Sequence, residues 1–156
     1  MNTINMTQKK YDELNAELLR RKTIEREKIS KDIKTAKEFG DLSENAEYKA
    51  AKDAQVANDM EIARLEEIVA LANVIDESAI NTDVVSIGTT VTLYDLEFDE
   101  EIVYTIVSSI ESDVINNKIS ERSPIGKALL GHKKGETIKA KTPTGEMLFK
   151  IISIDK

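Results

Sequence analysis

The first 39 residues of this chain contain neither glycine nor proline, and after Gly40 neither residue type returns until Gly88. Glycine and proline are the residues that most often end a helix. We therefore expect two long helices, over about residues 7–38 and 42–73, with the break at Phe39-Gly40. At 1.5 Å per residue each helix is ~45 Å long. A short connection makes such helices antiparallel neighbours, which predicts a helical hairpin.

Apolar side chains recur at helical spacing in both stretches, and this defines the expected contact seam. In the first stretch the seam residues are Tyr11, Leu14, Leu18, Ile29, Ile33 and Ala36; in the second they are Ala46, Ala50, Ala54, Ala57, Leu65, Ile68 and Ala72. The alanines near the turn allow the two backbones to approach closely. Residues 22–28 contain few seam residues and predict looser packing. Because the hairpin satisfies its own seam, we expect a monomer.

Beyond residue 76 the pattern changes to short β-branched runs separated by turn residues. The expected strands cover residues 84–94, 102–107, 115–120, 136–141 and 146–154. A short helix is expected after Ser123, which is a plausible N-cap followed by Pro124 at the first helical position. The predicted fold class is α+β. A two-helix antiparallel coiled coil (residues 1–76) precedes a small domain (residues 77–156) with a five-stranded antiparallel sheet and one short helix.

Charge and composition exclude several classes of function. The formal net charge is -7, which argues against non-specific nucleic-acid binding as the main activity. Residues 20–38 depart from this, with eight basic against four acidic side chains, although such a run is usually a solvated helix face. The absence of cysteine excludes disulfides and thiolate metal sites and fits a reducing cytoplasm. With no apolar run long enough to span a membrane, we expect a soluble cytoplasmic protein.

Asp41 and Glu44 are the most informative acidic pair, and their spacing has two interpretations. An Asp followed three residues later by a Glu resembles a capping box at the start of the second helix. Two carboxylates at this spacing can also converge on one Mg²⁺ ion, whose octahedral shell they cannot complete. Spacing alone favours the cap. The only histidine, His132, is expected to be an exposed loop residue.

Three segments resemble bacterial transcript-cleavage factors of the GreA type. The run FGDLSENAEYKAAK, from Phe39 to Lys52, resembles the family's tip signature. Asn73-Val74-Ile75-Asp76 resembles the family's domain junction, and ISERSPIGKALLG, from Ile119 to Gly131, resembles the signature of its C-terminal domain. The resemblance covers nearly the whole chain and implies that residues 77–156 form an FKBP-like domain.

The resemblance also implies a function. A factor of this type inserts its coiled coil into the secondary channel of RNA polymerase and stimulates cleavage of the backtracked RNA 3′ end by the polymerase. By this resemblance Asp41 and Glu44 are the catalytic acids, which share a Mg²⁺ ion only within the polymerase active centre. No cofactor is expected on the factor alone, which is not itself an enzyme.

Further residues take roles from the same resemblance. Tyr48 matches an aromatic residue that packs at the tip, and Ser123, Pro124 and Ile125 match the region that docks on the coiled coil at the channel rim. Contact with RNA or channel walls is expected from Arg20, Lys31, Lys34, Lys37 and Lys52.

Three alternative functions remain to be weighed. A non-catalytic regulator could occupy the same channel, although the intact pair Asp41 and Glu44 favours cleavage. A working prolyl isomerase is disfavoured by the scarcity of aromatic side chains in residues 77–156. A coiled-coil adaptor with a small docking domain predicts no effect on backtracked polymerase.

Overall fold

The computed structural model describes residues 2–40 and 45–156, and the chain divides into two compact units. The first unit contains Lys9–Asn73 together with the residues before Asn5. The second contains Asn5–Gln8 and Val74–Lys156. The short segment Asn5–Gln8 therefore groups with the C-terminal unit, whereas the predicted boundary at residue 76 assigned it to the N-terminal one.

The first unit is the predicted helical hairpin. Its helical elements are α1 (Gln8–Arg20), a π-helical segment (Arg21–Glu25), α2 (Arg26–Lys37) and α3 (Ala46–Ala70). The cross-helix contacts run in opposite chain order, which defines an antiparallel pair. Near the connection, Asn45 donates to the carbonyl oxygen of Ala36, and farther away the Lys22 Nζ lies 2.7 Å from a Glu66 carboxylate oxygen.

The π-helical segment explains the sparse seam between residues 22 and 28. A π-turn accommodates one extra residue, which rotates the following residues by about 100° relative to a continuous α-helix. After this rotation Ile29 and Ala36 are buried, whereas Ile24 within the segment is 66% exposed. The sequence predicted loose packing here but not the π-turn that produces it.

On α3 the predicted seam lies on the wrong face near the connection. The buried residues are Ala51, Asn58, Ile62 and Leu65, whereas Ala46, Ala50, Ala54 and Ala57 are exposed. The observed spacing of seven, four and three residues is the heptad pattern of a coiled coil. A count of apolar residues missed this stripe because one of its members is a polar asparagine.

Asn58 is satisfied by two hydrogen bonds across the hairpin, both to Arg21. The Arg21 Nη1 donates to the Asn58 Oδ1 at 3.1 Å, and the Asn58 Nδ2 donates to the Arg21 carbonyl oxygen at 3.1 Å. Asn58 is only 3% exposed, so an amide without partners at this position would be costly. This reciprocal pair, the Arg21–Asn58 clamp, joins the π-helical segment to α3.

A charged network on the first helix orients Arg21. The Glu17 carboxylate accepts hydrogen bonds from the Arg21 Nε at 2.8 Å and from Arg20 at 2.9 and 3.0 Å. Arg20 also donates to Glu25 at 3.2 Å. The hydrogen bonds from Arg20 and its positive charge, followed by those of Arg21, lower the pKa of Glu17 to about 2. The network holds the Arg21 side chain through its Nε, while its Nη1 bonds Asn58.

Asn45 begins α3 and also ties it to α2. The Asn45 Oδ1 accepts from the Tyr48 backbone N–H at 3.0 Å, which makes Asn45 the N-cap. The Asn45 Nδ2 donates to the Ala36 carbonyl oxygen at 2.7 Å, one of the groups that the end of a helix leaves without a helical partner. The prediction that Asp41 caps α3 is therefore wrong, because Asn45 takes that position.

The C-terminal unit contains a five-stranded sheet of strand order β5-β4-β3-β7-β6. Its strands are β3 (Thr90–Asp95), β4 (Glu100–Val107), β5 (Lys118–Ser120), β6 (Thr137–Thr142) and β7 (Gly145–Asp155). Two three-residue strands, β1 (Ile4–Met6) and β2 (Ala72–Val74), form a separate small sheet.

The predicted α+β class, with five strands and one short helix, is confirmed, but the sheet is not wholly antiparallel. Three of its four strand pairs are antiparallel, whereas β5 runs parallel to β4. The chain between these strands makes turns at Ser109–Glu111 and Val114–Asn116 before β5 begins. Two strands are shorter than predicted. The strand expected over residues 84–94 is β3, which begins only at Thr90, and the strand expected over residues 115–120 is β5, which begins only at Lys118.

One face of the sheet carries the hydrophobic core, which the short helix α4 (Pro124–Leu129) covers. The fully buried side chains at its centre include Leu93, Ile106, Leu129 and Phe149. Gly126 lies in α4, where an added Cβ would stand 2.1 Å from the Ser120 carbonyl oxygen. Only glycine permits this approach, so Gly126 holds α4 close to the last residue of β5.

The double role of Asn45 predicts graded effects of substitution. Asn45→Ala removes the cap and the bond to Ala36, and we expect the free energy of unfolding of the hairpin to fall by about 1–2 kcal/mol. Asn45→Asp keeps the acceptor for Tyr48 but cannot donate to Ala36, so its loss is smaller. Urea denaturation followed by far-ultraviolet circular dichroism measures both values. Equal stability of Asn45→Ala and the wild type would contradict the assignment of the cap.

The lowered pKa of Glu17 predicts a loss of hairpin stability in acid. Because the folded-state pKa of about 2 lies below the ordinary glutamate value of 4.5, the network contributes fully above 4.5 and is lost as the pH falls towards 2. The side chain is 38% exposed, so solvent and salt reduce the effect. Thermal unfolding should show a wild-type advantage over Glu17→Gln at neutral pH that disappears at about pH 2. An advantage independent of pH would contradict this account.

Candidate functional site

The candidate acids Asp41 and Glu44 lie outside the described residues. Both belong to the connection between α2, which ends at Lys37, and α3, which begins at Ala46. The connection contains Phe39, which is 68% exposed, and Gly40, whose φ of +100° is a conformation that glycine adopts without strain. The chain order thus places both acids at the end of the hairpin where α2 and α3 are joined.

Tyr48 lies in the first turn of α3 and is half-buried. Its backbone N–H donates to the Asn45 side chain, which anchors this turn. The packing role that the sequence assigned to Tyr48 stays a prediction. What the described geometry adds is that Tyr48 is fixed through its backbone to the residue directly after Glu44.

The five candidate cations differ in whether a described side chain engages them, and three of them have such a partner. Arg20 is engaged by Glu17 and Glu25, and Lys31 lies 3.3 Å from Glu27 one turn earlier on the same helix. Lys52 donates to the Gln55 side chain at 3.2 Å.

Lys34 and Lys37 occupy the last turn of α2, and both are exposed. No acid among residues 2–40 and 45–156 forms an ion pair with either lysine. Positive charge at a helix C-terminus complements the helix dipole, so each lysine also stabilises α2. Of the five candidates, these two keep their charge most available close to the connection.

The segment Ser123-Pro124-Ile125 forms the start of α4. The Ser123 Oγ accepts from the Gly126 N–H at 3.0 Å and donates to the Ser120 carbonyl oxygen at 2.7 Å, as expected of the predicted N-cap. Ile125 is half-buried against the core, while Pro124 is exposed. Ser123 and Ile125 therefore have structural roles, and Pro124 is the residue of this segment most open to a partner.

Sequence analysis missed Asn45, Asn58 and Gly126 as residues that position the candidate groups. Asn45 carried a usable signal, since asparagine is among the best N-caps and directly precedes an alanine-rich helical run. Asn58 can be assigned to the seam only if the heptad spacing Ala51, Asn58, Leu65 is allowed to include a polar residue. Gly126 lies inside a short apolar helix, where its close backbone contact has no sequence signature.

Two negative findings apply to the described part of the chain. Within residues 2–40 and 45–156, no three His, Cys, Asp or Glu side chains are grouped so as to hold a metal ion. In the same residues, no helix is both long enough and apolar enough to cross a membrane.

Comparison with known families assigns both parts of the chain. The family model described as "Transcription elongation factor, N-terminal" matches residues 4–74. The model described as "Transcription elongation factor, GreA/GreB, C-term" matches residues 80–156. The first match spans both helices and the connection that contains Asp41 and Glu44, and together the two models cover nearly the entire chain.

Individual relatives agree along the full length. Transcription elongation factor GreA of Caldanaerobacter subterraneus subsp. tengcongensis is 49% identical over 149 residues, covering 96% of this chain and 95% of the relative. GreA of Clostridioides difficile is 48% identical, with 96% and 94% covered. Among solved structures, the GreA factor homologue Gfh1 of Thermus thermophilus is 29% identical over 99% of both chains, and its TM-score of 0.42 is too low to support an argument. The two family models and the curated relatives show that this chain belongs to the GreA/GreB family of transcription elongation factors.

Proposed function

We propose that this factor binds RNA polymerase in the cytoplasm, as a monomer, and stimulates cleavage of backtracked RNA by the polymerase. The hairpin enters the secondary channel and brings Asp41 and Glu44 to the polymerase active centre. The observation that carries the proposal is the position of these two acids in the connection between α2 and α3, within a chain of this family. The factor is an activator, and the bond cleavage belongs to the polymerase.

The chemistry of the two side chains fits a shared magnesium site. Carboxylate oxygens are hard donors of the kind that Mg²⁺ prefers, and Asp41 and Glu44 would hold the ion together with ligands from the polymerase and RNA. When bound there, such an ion supplies an activated water and stabilises charge on the phosphodiester. Since two carboxylates cannot complete an octahedral shell, the pair is suited to act only inside another enzyme.

Asn45 supports the proposal because it relieves the two acids of a structural task. It caps α3 with its own side chain and binds the Ala36 carbonyl oxygen, so the helix start needs no carboxylate from the connection. The same two bonds fix the residue that follows Glu44 to both helices. Asn45 thereby provides a firm base for the connection that carries the two acids.

Lys34 and Lys37 supply the positive charge that a path towards RNA requires. Both are exposed in the last turn of α2 and have no described acidic partner. Attraction to RNA phosphates and to acidic channel walls offsets the repulsion expected from the chain's net charge of -7. Lys31 and Lys52 have local partners on their own helices, so we assign them smaller contributions.

The C-terminal unit serves as the docking part of the factor. Pro124 is exposed at the start of α4, and its neighbours Ser123 and Ile125 fix that turn through the cap and the core. A rigid, exposed turn of this kind presents the same surface to each polymerase molecule. This gives the factor an attachment point separate from the chemical pair.

The proposed chemistry predicts that neutral isosteres at the two acids abolish cleavage. We expect Asp41→Asn combined with Glu44→Gln to lower the single-turnover rate of 3′ RNA cleavage in stalled complexes by roughly a hundredfold or more, since both metal ligands lose their charge. Glu47→Gln is the matched control, because Glu47 is an exposed acid in the first turn of α3. It should retain nearly full activity.

Binding to polymerase is measured for the same variants. The proposal requires the double variant to compete with wild-type factor for polymerase while it fails to promote cleavage. Normal cleavage by the double variant would show that Asp41 and Glu44 do not carry the chemistry. Loss of binding in that variant would instead assign the acids to docking.

The two available lysines predict a salt-dependent defect. We expect Lys34→Gln with Lys37→Gln to weaken the apparent affinity for stalled complexes about three- to tenfold at low ionic strength, with little difference at high salt. Lys49→Gln is the control, since Lys49 is exposed on α3 but lies 3.5 Å from Asp53. Titration of cleavage against factor concentration at several salt concentrations measures the effect. A defect of constant size at all salt concentrations would contradict an electrostatic role.

A further inference from the structure

The Arg21–Asn58 clamp is the described contact that best distinguishes one hairpin register from another. Asn58 is buried, and its amide both accepts from the Arg21 guanidinium and donates to the Arg21 carbonyl oxygen. Both bonds require Asn58 to lie opposite one particular residue of the first helix. A shift by one helical turn would leave the amide buried without these partners.

The other seam contacts discriminate poorly between registers. Ala36 and Ala51 are small, and small side chains pack in several alignments. Ile29, Ile62 and Leu65 are larger, but they have no polar group that a shifted alignment would leave buried without a partner. The ion pairs across the hairpin, Lys22 with Glu66 and Arg26 with Asp59, involve side chains at least 40% exposed and contribute little.

The connection contributes one contact to the register, the bond from Asn45 to the Ala36 carbonyl oxygen, but its length allows other alignments. Eight residues separate Lys37 from Ala46, more than the two to five that close a short helical hairpin.

The π-helical segment gives the clamp its position. It extends from Arg21 to Glu25, so the carbonyl group that Asn58 binds belongs to its first residue. Such insertions are frequently found at functional positions of helices. Glu17 holds the Arg21 side chain through the Nε, which leaves the Nη1 to reach Asn58. Residues on both helices are thus committed to one alignment.

We propose that Asn58, through Arg21, is a positioning residue that sets the hairpin register and thereby the reach of the connection that carries Asp41 and Glu44. A buried asparagine that fixes the register of a coiled coil is a known device, which stabilises one alignment over the others. A slip of one turn moves α3 by ~5.4 Å along α2. The consequence for Asp41 and Glu44 rests on the function proposed above, whereas the role in register does not.

Replacement of Asn58 by leucine tests the register directly. The chain has no cysteine, so Lys28→Cys and Glu67→Cys accept spin labels at two exposed positions only. Lys28 precedes Ile29, which shares a groove with Asn58, and Glu67 lies nine residues beyond Asn58. An axial slip therefore changes the distance between the labels. We expect one distance with Asn58 and a second population, displaced by about 5 Å, with Asn58→Leu.

Gln55→Leu is the matched control. Gln55 is half-buried on the same helix and lines the same groove, but the bond that the structure describes for its side chain is a local one from Lys52. An amide is exchanged for leucine in both variants, so the change from a polar to an apolar side chain on α3 is common to both. The proposal requires a single distance in Gln55→Leu.

The same variants without labels are tested in cleavage by stalled polymerase. At saturating factor, Asn58→Leu should lower the single-turnover rate roughly tenfold, because small displacements of reacting groups are costly. The factor concentration at half-maximal rate should change little, and Gln55→Leu should match the wild type. A merely structural role for Asn58 would lower thermal stability without a second distance.

The outcomes separate this proposal from the proposed function. A single wild-type distance in Asn58→Leu overturns the register assignment, whatever the cleavage assay shows. A second distance with unchanged cleavage overturns the link to Asp41 and Glu44. Should Asn58→Leu fail to fold, Asn58→Ala is measured in the same way, and failure of both to fold would show that the clamp sets stability and not register. The Asp41 and Glu44 double variant tests the proposed function separately, because its expected loss of cleavage does not depend on the distance between the spin labels.

Discussion

Two hydrogen bonds between Arg21 and Asn58 join the π-helical segment to the buried face of α3. A two-helix rod buries only one stripe of each helix, so it cannot form the broad core of a globular domain. In the described hairpin the buried apolar side chains are few, namely Ile29, Ala36, Ala51, Ile62 and Leu65. A polar contact therefore has unusual weight, because few apolar contacts compete with it in choosing an alignment.

The charged network around Glu17 supports the same contact between Arg21 and Asn58. Glu17 binds Arg20 and Arg21 together, and this lowers the pKa of Glu17 while it orients the guanidinium that reaches Asn58. Part of the basic stretch noted in the sequence is thus structural. The cations nearest the connection, Lys34 and Lys37, have no comparable partner among the described acids. Arg20 and Arg21 in the middle of the hairpin are therefore paired with acids, whereas Lys34 and Lys37 near the connection have no acidic partner among the described residues.

Much of this architecture could be predicted from sequence, for reasons that particular residues make clear. The hairpin follows from the lack of glycine and proline before Gly40, and α4 follows from Ser123-Pro124. The seam of α3 could not be found by counting apolar residues, because Ala50 and Ala54 are as apolar as Ala51, and Asn58 is polar. The parallel pairing of β5 depends on two tight turns before Lys118, which contain no glycine or proline to mark them.

The candidate site, too, could be predicted from the sequence only in part. The acids Asp41 and Glu44 were found by their type and spacing. Spacing alone favoured a cap, the family resemblance favoured a metal site, and the structure gives the cap of α3 to Asn45. This matters for mechanism, because a carboxylate that caps a helix has one oxygen committed to a backbone N–H. With Asn45 as the cap, the side-chain bond at the start of α3 does not depend on Asp41 or Glu44. The chain thus separates the residue that builds the end of the hairpin from the residues proposed to act there.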